Sequence, residues 1–552
     1  MRRPPKGKGK GSGDSDDVPQ CGLPGSPATG LCYPPAPHCT KVQEGLPPAR
    51  IHDGGHNAQV GDLRHLCRPM AFDGLQDYLT ALERRGELRT IGEPVDPELE
   101  ITEIADRVLR AGGPALRFDA PRGSGYPVVI NLFGTSARTA FALGVSDLDE
   151  IGARVAQVLH TQPPSSLLDK LRALPRLVEI SSWAPQVVSG APCQEVVEAR
   201  PSLLDLPALK CWPGDGGRFV TLPMVVTRHP ETGQRNVGMY RMQIYDERTA
   251  GLHWHPHKVG AEHYRRCEAL GQRMPVAVAL GSDPATIYAA TAPLPEEFDE
   301  ILFAGFLRRR AVAMVSCRTN DLQVPADAEF VLEGYVEPGE RRTEGPFGDH
   351  TGYYSLADEF PVFHLTALTR REKPVYPATI VGPPPKEDCF LGKATERIFL
   401  PLLRVQLPEV VDINLPMEGI FHNLALVRIA KRYPGHALKV MHALWGMGQM
   451  MLTKIIVVVD EEVDVQNTSQ VIWRVGNNID PERDICFVRG PVDILDHAAR
   501  LPGFGSKMGI DATRKLPGEG FTRPWPDVIE MSPEVKARVD ALMTALRLEE
   551  MR

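Results

Sequence analysis

The sequence predicts a multidomain α/β protein with an all-β middle. Three observations carry this. The chain has 552 residues, more than one ordinary domain. Helical periodicity alternates with short apolar runs between about residues 70 and 175, and again beyond about 375. Between these regions lie many short strand-like runs with few helices. The expected division is a disordered extension at 1–69, an N-terminal α/β domain at 70–175, a central β domain at 176–375 and a C-terminal α/β domain at 376–552.

Residues 1–69 are rich in Gly, Pro and Ser and have no sustained periodicity. Order is expected from Met70, itself an alternative start. Asp73 is predicted to cap a helix carrying Leu75, Tyr78, Leu79 and Leu82 on one face. Asp96-Pro97 predicts a second helix start, with Ile101, Ile104, Ala105, Val108 and Leu109 at helical spacing and Gly112-Gly113 as its stop. Strands are predicted at Ala115–Phe118 and Pro127–Phe133. The central runs are Val220–Thr227, Val237–Tyr245, Val276–Leu280, Ala311–Cys317, Phe330–Val336 and Val362–Thr369. They suggest a barrel or a sandwich. Later, Ile455–Val459 reads as a buried parallel strand ending at Asp460. Val471–Asn477 reads as a helix, and Gly503–Gly509 as a Gly-rich loop bearing Lys507.

Composition narrows the function. The apolar fraction is 42% and the charged fraction 24%, ordinary for a soluble globular chain. A net charge of -8 argues against a nucleic-acid partner. The most apolar region, Ala443–Val459, is broken by Gln449, Thr453 and Lys454. The ten cysteines form no close pairs, and their spacing suggests neither a zinc site nor a disulfide framework. The basic N-terminus lacks an apolar segment after it, so a cytoplasmic location is the expectation.

The stretch with most chemical content is Glu344-Gly-Pro-Phe-Gly-Asp349. Residues five apart on a regular strand face opposite ways. Gly345, Pro346 and Gly348 permit a looped path that brings both carboxyls into one pocket. Two acids in one dry site do not both ionise cheaply, so one would stay protonated near neutral pH. The alternative is a polar hairpin with two solvated acids. Asn236–Gln243 reads as one strand with Asn236, Gly238, Tyr240 and Met242 on one face and Arg241 and Gln243 on the other. Arg241 is then either buried against an anion or carboxylate, or solvated at an edge. His253, His255 and His257 form a dense imidazole cluster, either polar surface or metal site. Asn236 and a carboxylate would add oxygen ligands suited to Mn or Mg. Glu300 stands at an apparent helix start. Lys507 could reach a phosphate.

Several specific blocks occur together and in order. They are GELRTIGEPVDPELEITEIADRVLRAGGPAL at Gly86–Leu116, NVGMYRMQ at Asn236–Gln243 and VALGSDPATI at Val278–Ile287. TNDLQVPADAEFVLEGY follows at Thr319–Tyr335, then EGPFGDHTGYY at Glu344–Tyr354 and GSKMGIDAT at Gly505–Thr513. From Met70 almost to its end, the chain resembles the UbiD-like decarboxylases that use prenylated FMN, above all those acting on 3-polyprenyl-4-hydroxybenzoate.

The resemblance implies a central split β-barrel of flavin-reductase type that binds the cofactor, between N-terminal and C-terminal α/β domains. It implies a divalent metal, usually Mn2+, on Asn236, His257 and Glu300, bridging to the cofactor phosphate, with K+ nearby. Met239, Tyr240, Arg241, His253, Trp254, His255, Lys258, Val259 and Lys507 match cofactor-contacting positions. Arg241, Glu344 and Asp349 match the catalytic set, with Asp349 as proton donor. Cinnamate-type relatives carry Glu at the position of Asp349, and Lys258 stands where close relatives carry Arg. Lys keeps a point-charge contact but not a bidentate one.

The implied activity is decarboxylation of 3-polyprenyl-4-hydroxybenzoate to 2-polyprenylphenol in ubiquinone synthesis. The alternatives are (de)carboxylation of another aromatic acid and a flavin-binding role without lyase activity. The implied partners are a flavin prenyltransferase as cofactor supplier and further copies of the chain, as a dimer or hexamer built through the C-terminal domain. A prenylated substrate adds the expectation of peripheral association with the inner membrane.

Overall fold

Alternate residues of the strand Met274–Leu280 point into two different cores. Ala277 and Ala279 join one cluster; Met274, Val276, Val278 and Leu280 join the other. The strand therefore lies in the middle of a sheet covered on both sides, which is why it reads as an unbroken apolar run. The computed structural model describes residues 71–159, 179–295 and 297–546. The extension at 1–69 lies outside the described residues.

The central sheet has nine strands. Eight run in the order Phe219–Val220, Met242–Ile244, Thr249–Leu252, Asp358–Arg370, Phe330–Glu344, Met274–Leu280, Pro223–Arg228 and Arg235–Met239. Val196–Val197 adds to Asp358–Arg370. Neighbouring strands are antiparallel. Among the described residues the two ends of this path do not pair, so the sheet is open rather than a closed barrel.

Two smaller sheets flank it. The first orders Leu88–Ile91, Ala115–Phe118, Val128–Ile130 and Tyr376–Pro377. Its last strand arrives after the whole central sheet and pairs in parallel with Val128 and Val129. The second has five strands, with Leu424–Ile429, Ile455–Asp460 and Phe504–Asp511 parallel at its centre. Ile455–Asp460 is the buried parallel strand expected. The helix expected at Val471–Asn477 spans Thr468–Asn478, and the Asn467 side chain accepts the Gln470 N–H at 3.1 Å as its cap.

Four local expectations are corrected. Asp73 does not cap the first helix, which spans Leu75–Arg84 with Gly74 at its cap position. The Asp73 carboxylate is taken by Arg310 at 2.6 Å instead. The second helix begins at Glu100, not at Pro97. Asp96 Oδ1 accepts the Glu98 N–H at 2.8 Å and the Leu99 N–H binds Lys210 O at 2.9 Å, which holds this stretch out of the helix. Gly503–Gly509 is no loop, since Phe504–Asp511 is a strand paired on both sides. Glycine serves close approach here: a Cβ on Gly509 would lie 2.4 Å from Met441 Sδ. Finally, Asn236–Gln243 is two strands, Arg235–Met239 and Met242–Ile244, and Arg241 stands in the break.

Candidate active site

The break at Arg241 sets the site. Met239 pairs with Met224 on one side of the sheet path, while Met242 pairs with Val220 and Leu252 on the other. The chain changes partners between them, and Arg241 turns inward. Its side chain is only 10% exposed, so its charge needs partners. Glu344 supplies the first, at the last residue of the strand Phe330–Glu344, in register with Asp358. Arg241 Nε donates to Glu344 Oε1 at 2.8 Å and Nη2 to Oε2 at 3.3 Å, a bidentate pair.

Immediately beyond, Gly345 adopts φ +93°, a left-handed conformation that favours glycine. Its N–H donates to Gln243 Oε1 at 2.7 Å, tying the turn to the strand Met242–Ile244. Phe347–Gly348 then pairs with Tyr354–Ser355 as a small separate ladder. Arg241 Cζ lies 4.4 Å from the Phe347 ring centre, and Nη2 also donates to Ser355 Oγ at 3.2 Å. Arg241 Nη1 pairs with Asp349 Oδ2. The turn thus brings both acids onto one guanidinium, which is the one-pocket alternative and not the solvated hairpin.

Their protonation differs from expectation. Burial alone would raise Glu344, but the His253 hydrogen bond and the Arg241 charge bring it down to about 2. Burial would likewise raise Asp349; Arg241 and His350 outweigh it and hold Asp349 well below the usual carboxylate range. Neither acid is held protonated in this arrangement. The reason is that the cation sits between them and each acid has an imidazole at its outer side. His253 Nδ1 lies 2.9 Å from Glu344 Oε2, and its Nε2 lies 2.7 Å from His255 Nε2. His253 is buried, so this part of the imidazole cluster is not surface. Burial and the Arg241 charge lower its pKa.

A second group lies around Glu300, the first residue of the helix Glu300–Arg308. Its Oε2 accepts the Val237 N–H at 3.0 Å, which places the carboxylate beside buried Asn236. Burial pushes Glu300 up to about 7. His257 is exposed, with its ring 5.7 Å from His255. The hydrogen bonds of the described residues bring Asn236 and Glu300 into one neighbourhood but do not join His257 to them. Lys258 precedes the helix Val259–Ala269, whose first turn has no side-chain cap. Burial lowers the Lys258 ammonium, opposed by the charge of Asp493. Trp254 Nε1 is buried without a partner. An under-partnered cation and indole N–H at an uncapped helix start suit a phosphate, and the under-partnered Glu300 suits a cation.

Met239 ends the strand Arg235–Met239, and Tyr240 after it is buried with its ring 6.3 Å from that of Trp254. Lys507 is placed differently from the expected phosphate-reaching loop. It is buried in its strand and donates to the carbonyls of Met451 and, at 3.1 Å, Thr453. Sequence reasoning passed over His350, Asp388, His422 and Asp493. His350 stands next to Asp349 and was legible by position alone; the others carry no local motif.

Three family models match in order. The N-terminal domain model of 3-octaprenyl-4-hydroxybenzoate carboxy-lyase covers residues 79–155, the Rift-related domain model 186–384 and the C-terminal domain model 389–512. The chain belongs to the UbiD carboxy-lyase family. It is 52% identical over 480 residues to an uncharacterised protein of Archaeoglobus fulgidus, covering 87% of this chain and 99% of that one. An uncharacterised protein of Aquifex aeolicus is 50% identical over 482 residues, covering 87% and 99%. Among solved structures, the closed form of vanillic acid decarboxylase from Sedimentibacter hydroxybenzoicus matches with TM-score 0.76 and 29% identity, covering 86% of this chain and 99% of that one. The UbiD-class enzyme HmfF from Pelotomaculum thermopropionicum, in complex with FMN, matches with TM-score 0.70 and 31% identity, covering 84% and 98%. Membership makes this UbiD-family chain a carboxy-lyase, which sets aside a flavin-binding role without lyase activity. Among its described residues no helix is long and apolar enough to cross a membrane.

Proposed function

We propose that this enzyme decarboxylates a 4-hydroxylated aromatic acid without net oxidation, using prenylated FMN. The first candidate is 3-polyprenyl-4-hydroxybenzoate, giving 2-polyprenylphenol in ubiquinone synthesis. The observation that carries the reading is the buried set of Arg241 between Glu344 and Asp349. When bound, the modified flavin supplies the electron sink for the ring carbon that loses CO2. Asn236, Glu300 and His257 would hold a divalent ion, Mn2+ by resemblance, with K+ nearby. Lys258 and the start of the helix Val259–Ala269 would hold the phosphate. Arg241 orients the substrate carboxylate, and Glu344, fixed by His253, keeps the guanidinium aligned. Asp349 delivers a proton to the vacated carbon. Closure around the substrate would exclude water.

A compact phenolic acid is a second reading. Asp349 has buried or half-buried polar neighbours in His350, His422 and Asp493, and a prenyl tail laid against them would strip their hydration. The deciding experiment gives the holoenzyme 4-hydroxybenzoate with and without a polyprenyl tail, and vanillate, and follows CO2 and phenol. Preference for the tailed acid supports the first reading. Turnover of only untailed acids supports the second. With a tailed substrate, peripheral membrane association and a homo-oligomer remain part of the proposal.

Two predictions arise here. Protein made without a flavin prenyltransferase should fold yet release no CO2, and co-production should restore activity; full activity with plain FMN would contradict the reading. The second concerns Glu300. A carboxyl whose folded pKa is raised contributes stability below its unfolded pKa of about 4.3 that is lost as pH rises through about 7. Metal-free protein should therefore lose about 2 °C of Tm between pH 5 and 7.5. Added Mn2+ should return it, and Glu300→Gln should flatten both effects and shed flavin. A metal-insensitive Tm with the same slope in Glu300→Gln would remove Glu300 from the ion.

A further inference from the structure

Beyond Asp349 lies a group of side chains that the decarboxylation reading leaves unused. His350 donates its backbone N–H to Asp349 Oδ1 at 2.7 Å, and its ring Nδ1 lies 2.8 Å from the same oxygen. Its other ring nitrogen, Nε2, lies 3.0 Å from His422 Nε2. His422 Nε2 lies 3.5 Å from Asp493 Oδ2. Three potential ligand atoms, one each from His350, His422 and Asp493, fall within 4.8 Å of one another. His350 belongs to the central domain matched at 186–384; His422 and Asp493 belong to the C-terminal domain matched at 389–512. The imidazole thus bridges the acid at the reaction centre and the domain that packs over it.

We propose that His350 is a proton store for Asp349, held in its working position by His422 and Asp493 across the domain boundary. The proposal rests on the reading of Asp349 as donor. It answers a difficulty in that reading: Arg241 keeps Asp349 ionised at rest, so the donor needs a neighbour that holds the proton.

The surroundings of His350 favour the charged ring. Burial would lower it, but Asp349 on its own loop, Asp493, and Asp388 from the helix Glu387–Gln406 raise it to about 9. Phe421 covers it at 5.5 Å between ring centres. His422 is pushed down to about 4 by burial, the His350 charge and Lys258, so it is neutral and accepts at Nε2 from His350; Asp493, 3.5 Å from the same nitrogen, then acts on the charged His350 through its field rather than through a hydrogen bond. One proton on each nitrogen of His350 then satisfies both of its contacts.

The proton count closes. Decarboxylation consumes one proton: ArCO2⁻ + H⁺ gives ArH + CO2. When Arg241 turns to the substrate carboxylate, Asp349 loses its cation and takes the Nδ1 proton of His350. Asp349 then gives that proton to the ring carbon, whose C–C bond to CO2 has broken and left its electron pair. His350 remains neutral with its proton on Nε2, still donating to His422, and water recharges it.

The test uses the holoenzyme and the acid it turns over fastest among 3-polyprenyl-4-hydroxybenzoate, 4-hydroxybenzoate, vanillate and 3,4-dihydroxybenzoate. His350→Asn can still donate an amide N–H to Asp349 but stores no proton. It should lower kcat about 10²-fold with KM within about twofold of wild type. Wild-type kcat should hold to about pH 9 and then fall. His422→Phe and Asp493→Asn should bring that fall to lower pH by about one unit. ¹⁵N NMR of the wild-type protein should show His350 protonated on both nitrogens at pH 7. If no acid in the panel reacts, the functional reading fails, while the NMR titration still decides the store. Wild-type kcat and pH profile in His350→Asn, or a neutral His350 at pH 7, would overturn the proposal. So would a second divalent ion per chain that is lost in His422→Ala, because the cluster would then be a metal site.

Discussion

Asp349→Asn is expected to load cofactor and bind the aromatic acid, yet decarboxylate on the order of 10²–10⁴-fold more slowly. The substitution keeps the size and the hydrogen-bonding capacity of the side chain but removes the acid. In deuterated buffer the wild type should place one deuteron on the ring carbon vacated by CO2, and the variant should do so only at its reduced rate. Arg241 would lose one of its two anionic partners, so a modest rise in KM is also expected. Turnover at the wild-type rate with normal deuterium incorporation would show that another group gives the proton.

Arg241→Ala should have the largest effect on the fold as well as on the reaction. It leaves two buried carboxylates without their shared cation, a change that typically costs about 3–5 kcal/mol. The pH dependence should also reverse. In the wild type Glu344 and Asp349 have depressed pKa values, so their stabilisation is present above about pH 4.5 and lost as pH falls toward 2. Without Arg241, burial dominates and raises both, so stability should now fall as pH rises through the neutral range. Chemical denaturation of both proteins from pH 4 to 8 would measure this. Parallel curves would mean that Arg241 does not set the ionisation of the two acids.

The approach of the two acids was legible because it depends on local chain chemistry. Gly345 and Pro346 announce a turn, and a turn is enough to bring residues 344 and 349 together. The inward side of Arg241 was not legible. Alternation along a strand assumes one ladder, and here the ladder changes partners between Met239 and Met242. The first helix cap failed for a related reason, since Arg310 is far away in sequence and competes for Asp73. His422 and Asp493 illustrate the limit most plainly. Each is an ordinary residue in its own segment, and only the packing of two domains puts them beside His350. The resemblance to UbiD enzymes supplied the family and the proposed catalytic set, whereas the charge state of the acids needed the geometry around them.

The late strand Tyr376–Pro377 also has a bearing on synthesis and dissection of the chain. The sheet that begins at Leu88 lacks its outermost member until residue 377 has been made. Until then Val128–Ile130 presents unpaired backbone groups along an apolar edge, a template for pairing with other chains. A nascent chain therefore depends on a contact some 250 residues distant in sequence to close its earliest sheet, a topology that slows folding. Fragments that stop before Tyr376 should aggregate, and separate expression of the first domain should succeed only when this short strand is supplied with it.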